Sequence, residues 1–136
     1  MHYILAVGDD EDDIPLLVQA LTTELSDFTV RTVVQGAEAF EIIRSSSPEE
    51  FPALIILEVS SHEPGLAFVQ ELRKEALHRR IPVVVISRFI ESSLLKKLYA
   101  EGVNCFIPKP LDETEWHHLV ECIDLLFLQN LRPPGK

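Results

Sequence analysis

The sequence predicts an α/β fold in which five strands alternate with five helices, (βα)5, wound as a doubly wound parallel sheet. Three observations predict it. Residues 54–57 and 83–86 are wholly aliphatic, as strands buried on both faces of a parallel sheet must be. Helical apolar periodicity follows the strands in turn. The connections are short, and parallel neighbours need crossovers, which are right-handed and place helices on both faces.

The elements follow in order. Residues 3–7, YILAV, form the first strand, and the acidic cluster GDDEDD occupies 8–13. Asp13 precedes Ile14 and Pro15, the pattern of an N-cap with proline in the first turn. Leu16, Leu17, Ala20, Leu21 and Leu25 continue at helical spacing. Residues 28–34 are rich in β-branched side chains and read as a second strand. A helix over 37–44 ends in SSSPEEFP, a strong loop signal. The strand LIIL (54–57) is followed by the loop SSHEPG and a helix through Phe68, Val69 and Leu72. IPVVVIS (81–87) precedes a helix through Leu94, Leu95 and Leu98. Residues 104–107 make the fifth strand, and Asp112 caps a long final helix ending near Leu131. The two aliphatic strands belong at the sheet centre.

At 136 residues the chain is expected to form one domain, 1–136, with a frayed tail over 131–136 and no output domain. A formal charge of −10 argues against a nucleic-acid-binding surface, which needs clustered Lys and Arg. No basic, apolar leader opens the chain, and no apolar run approaches the ~20 residues of a membrane span. The expected location is cytoplasmic. Cys105 and Cys122 have no metal-type spacing and read as reduced, buried thiols. His2, His62, His78, His117 and His118 form no zinc pattern and read as surface or loop residues.

The carboxyl ends of strands one, three, four and five converge on one edge of such a sheet. Read off in order, those ends carry Asp9 and Asp10, then Glu58, Ser87 and Lys109. Carboxylates hold divalent metals, and a hydroxyl with an ammonium holds phosphoryl oxygens. This is the chemistry of a phosphoryl-type site. Gly8 stands alone before an acidic run, which disfavours a phosphate-cradling loop and a flavin-type cofactor. Ser87 lacks the G-x-S-x-G turn of a nucleophile.

These residues resemble the receiver domains of two-component response regulators. ILAVGDDEDD is similar to the family's first strand and acidic pocket, LIILE to the strand bearing the phosphoacceptor. IPVVVIS resembles the strand ending in Ser or Thr, and FIPKP the Lys-Pro signature. The intervals of 29 residues from Glu58 to Ser87 and 22 from Ser87 to Lys109 fit the family. IPVVVIS, GVNCFIPKPLD and FLQNLRPP are most similar to small receivers of the bacterial phytochrome-associated type. The resemblance implies a flavodoxin-like fold, histidine-kinase or downstream protein partners, a cis Lys109–Pro110 bond, and Phe106 as switch aromatic.

Two departures from the family bear on function. Gly8 replaces one of the paired acids, leaving Asp9 as the residual metal acid and making Mg²⁺ binding weak or absent. Glu58 replaces the acceptor Asp and carries its carboxylate outward by about 1.5 Å, one bond length, enough to spoil in-line attack. Phosphorylation by the ordinary route is therefore not expected, and neither is enzymatic activity. Glu58 is expected to bond Ser87 and Lys109, either imitating a phosphoryl group in part or standing as inert scaffold. The alternative is a working phosphoacceptor, with Asp10 replacing the lost acid in Mg²⁺-dependent transfer from a histidine kinase. A third reading is a small-molecule-binding domain.

Trp116, Leu119, Val120, Ile123, Leu126, Phe127 and Leu131 stripe the last helix, with Leu125 and Leu128 beside them. Such a stripe is wider than one packing face needs. A homodimer or protein-complex interface is expected there, through Trp116, Leu125, Phe127 and Leu128.

Overall fold

The computed structural model describes residues 2–59 and 63–131. His62 and part of the SSHEPG loop lie outside the described residues, as does the expected tail beyond Leu131. Strands β1 (Tyr3–Val7), β2 (Thr29–Val33), β3 (Leu54–Glu58), β4 (Val83–Ser87) and β5 (Cys105–Pro108) alternate with five helices. These are α1 (Asp13–Glu24), α2 (Gly36–Arg44), α3 (Glu63–Arg73), α4 (Ser92–Ala100) and α5 (Glu113–Ile123). Every strand pair is parallel, in the order β2-β1-β3-β4-β5. This is the flavodoxin-like order, with its switch point between β1 and β3.

Alternation along the strands divides the core. Ile4, Ala6, Leu54, Ile56, Val84 and Ile86 pack with Leu17, Leu21, Trp116, Val120 and Ile123 from α1 and α5. Leu5, Val7, Ile55, Leu57, Val83 and Val85 pack with Ala39, Val69, Leu72 and Leu98 from α2, α3 and α4. The period-2 pleat thus sends successive residues to opposite helix layers. The inner strand β4 is buried throughout, while β2 and β5 form the partly exposed edges.

Asp112 caps α5, its Oδ1 accepting from the Glu115 amide at 2.9 Å. Beyond Ile123 the last helix changes geometry: Asp124–Leu128 forms a π-turn and Gln129–Leu131 a 3₁₀ turn. A π-turn spaces neighbours on one face five residues apart. Leu128 therefore follows Ile123 into the core, both fully buried. Leu125 and Leu126 turn outward, at 72% and 64% exposure.

Two interface expectations fail, Leu128 through this turn and Trp116 because it shares the regular α5 face that Leu119, Val120 and Ile123 pack into the core. Trp116 and Leu128 are core residues, not surface ones. Phe127 is half-buried against the same core, and Leu125 alone of the four expected residues is well exposed. Other surface expectations change too. His78 is buried, with Phe40 and Phe51 edge-on to its ring, because the Leu77–Arg80 turn folds it under α2. Cys105 and Cys122 are free thiols, the first half-buried and the second exposed.

Candidate functional site

The site lies where β1 and β3 leave the sheet on the α1–α5 side. The last rung between these strands pairs Val7 with Leu57, so the next residues, Gly8 and Glu58, stand across from each other. Gly8 presents no side chain, and the Glu58 side chain packs into the room this leaves. Its Oε1 accepts from the backbone N–H groups of Asp9 and Asp10, both at 3.1 Å. Its Oε2 lies 2.6 Å from Lys109 Nζ. With a side chain only 3% exposed, Glu58 is fixed at both oxygens.

Lys109 enters from the end of β5, where its amide donates to Ser87 O at 2.9 Å. Besides Glu58, its ammonium meets Asp13 Oδ2 at 2.9 Å and Asp10 Oδ2 at 3.5 Å. Burial alone would lower its pKa. The bonds to Glu58 and Asp13, and the charges of both, outweigh burial and raise it above the ordinary lysine value.

Asp10 does two jobs. Its Oδ1 accepts from the amides of Asp12 at 2.9 Å and Asp13 at 2.8 Å, so it caps the start of α1. The Asp13 amide is the main reason its carboxyl titrates below the ordinary range; desolvation opposes, and the Asp12 amide and Lys109 add to the lowering. Asp13, expected as the cap, lies instead inside the first turn with its carboxylate turned into the pocket. It bonds Arg88 Nη2 at 3.0 Å as well as Lys109.

The expected constellation is thus gathered, with changes. Asp9 is exposed and contributes its amide, while Asp10 and Asp13 supply the carboxylates. Ser87 is buried but donates to Phe89 O at 2.9 Å, because the strand turns sharply there and the hydroxyl closes the turn. Phe106 is half-buried against the α2–α4 side, and its amide donates to the Tyr99 hydroxyl at 3.0 Å. No cis peptide bond occurs among the described residues. The Lys109–Pro110 bond is therefore trans, the ordinary lower-energy form, and Lys109 reaches Glu58 from the strand end without it.

Sequence reasoning missed Asp13 and Arg88. Each carried a signal: Asp13 ends the acidic cluster at a strand's carboxyl edge, and Arg88 directly follows Ser87 at another.

Asp10, Asp13 and Glu58 each offer an oxygen within 4.8 Å of the others, a group that could hold a metal ion. Lys109 Nζ already lies within 3.5 Å of all three. The response regulator receiver domain family matches residues 4–121. The chain belongs to that family. This receiver domain is 28% identical over 117 residues to the response regulator Rre1 of Synechocystis sp., covering 85% of this chain and 49% of Rre1. It therefore spans about half the length of that relative. It is 24% identical to the response regulator Rcp1 of the same organism, covering 97% of this chain and 92% of Rcp1. In structure it resembles the phosphorylated cyanobacterial phytochrome response regulator RcpA, with a TM-score of 0.83 and 28% identity over 99% of this chain and 100% of that one. The Mn²⁺-bound form of Rcp1 shares the fold, with a TM-score of 0.80 at 23% identity over 99% and 100% of the two chains. No helix among the described residues is long and apolar enough to cross a membrane.

Proposed function

We propose that this receiver domain is a non-enzymatic, cytoplasmic signalling module that works through protein contacts and independently of phosphorylation. The observation that carries the reading is the saturation of Glu58. Both carboxylate oxygens are engaged, one by two loop amides and one by Lys109. A nucleophile needs a free oxygen aligned with the incoming phosphorus, and Glu58 offers none without breaking these bonds. Because Ser87 spends its hydroxyl on Phe89 O, Glu58 reads as a fixed charged pair with Lys109 more than as an imitation phosphoryl group.

Receiver domains interact with histidine kinases and downstream targets. The partner expected here is a protein of that kind or a second copy of the chain, engaged near Leu125 and Leu126. The charge of −10 argues against nucleic acid and anionic membrane surfaces.

Incubation with Mg²⁺ and acetyl phosphate, followed by intact mass, tests the reading. An unchanged mass is expected. A phosphoryl adduct mapped to Glu58 would replace this reading with the working phosphoacceptor, which the acid group Asp10, Asp13 and Glu58 and the likeness to phosphorylated RcpA favour.

A further inference from the structure

We infer that the Lys109 ammonium is the resident cation of this pocket, standing among Asp10, Asp13 and Glu58 in place of a divalent metal. Gly8 is the residue that makes this arrangement possible. The inference rests on the phosphorylation-independent reading above and deepens it.

The family implies Mg²⁺, which demands near-octahedral oxygen ligands at ~2.0–2.1 Å. The oxygens here are otherwise employed. Glu58 Oε1 holds two amides and Oε2 holds Lys109. Asp10 Oδ1 holds the two amides that start α1. Asp13 Oδ2 holds both Lys109 and Arg88. The loosest of these contacts is that of Asp10 Oδ2, at 3.5 Å from Lys109. The residues present do not fit the metal.

Charge leads to the same conclusion. Three carboxylates face two cations, Lys109 and Arg88, which leaves one net negative charge. A divalent ion would reverse that sign unless Lys109 left, and its side chain is 5% exposed. Like charges at this separation and low solvation repel strongly.

Gly8 enters through space. A side chain there would collide with Glu58, forcing its carboxylate off the loop amides that aim it at Lys109. The glycine, the glutamate and the lysine therefore act as one unit, in which the glutamate folds back into the room left at position 8.

Thermal melts of the wild type and of Lys109→Met, with and without millimolar Mn²⁺ at matched ionic strength, test this. The wild type should melt at the same temperature in both. Lys109→Met should melt lower without metal, and Mn²⁺ should raise its midpoint by ~5 °C or more. Saturable stabilisation of the wild type below about 1 mM Mn²⁺ would overturn the inference. So would a folded Lys109→Met that ignores the ion. Should that variant not fold, the wild type decides alone through its backbone amide NMR signals. Unbroadened Gly8 and Lys109 signals at equimolar Mn²⁺ support the inference, and their selective loss overturns it. Phosphoryl uptake without metal would end the proposed function and leave this inference standing. Mn²⁺ binding by the wild type would do the reverse.

Discussion

A Cβ built on Gly8 would stand 2.5 Å from Glu58 Oε1 and 2.8 Å from Glu58 Cβ. Contacts that short force something to shift, and here one of the two atoms belongs to the root of the side chain. Gly8→Ala should therefore destabilise the domain by about 1–3 kcal/mol, measured by urea denaturation. In combination with Glu58→Ala the total should fall short of the sum, since the two residues compete for one space. Strict additivity would show that they do not.

Glu58→Gln keeps the length of the side chain and an acceptor for the loop amides while removing the charge beside Lys109. The pair is almost fully buried, with side chains 3% and 5% exposed. Leaving the ammonium short of a counter-charge should cost roughly 1–3 kcal/mol. An unchanged urea midpoint would mark the pair as energetically idle.

The dependence of stability on pH has a definite sign. Lys109 titrates above the ordinary value of 10.5 in the folded chain. Its contribution is complete below that value and is lost as pH rises through the higher folded pKa. Asp10 titrates below the ordinary 3.8, so its contribution is complete above 3.8 and is lost as pH falls through the lower folded value. Melting temperature should decline on the far side of each limit. The alkaline decline should be smaller in Lys109→Met, and equal declines would assign it to other groups.

The last helix separates stability from association. Trp116 is 2% exposed, and Trp116→Ala should cost about 3–5 kcal/mol. Leu125→Ser should change stability by no more than about 0.5 kcal/mol while weakening any self-association seen by sedimentation. A Leu125→Ser variant that associates like the wild type would move the interface elsewhere.

The fold was legible because aliphatic runs and helical periodicity record burial directly. The convergence of Glu58 with Lys109 was legible because strand ends in a parallel sheet meet at one edge. The orientation of single side chains was not. Asp13 reads as a cap from its place before Ile14 and Pro15, yet Asp10 takes the helix-starting amides and frees Asp13 to face Lys109. Ser87 has the right position, but its hydroxyl finds a nearer acceptor in Phe89 O. Leu128 reads as surplus apolar surface only on a regular helical count, and the π-turn alters that count. Trp116 lies before that turn, on the regular face that Leu119, Val120 and Ile123 pack into the core.

That turn has a directional consequence. Each residue of an ordinary α-helix rotates the chain by about 100°. Removing one residue from the Asp124–Leu128 stretch would swing whatever lies beyond it around the axis by roughly that angle. The π-turn thus works as an angular setting, fixing the bearing at which Gln129–Leu131 follow the helix. A probe or fused protein attached there would report the setting as a heading.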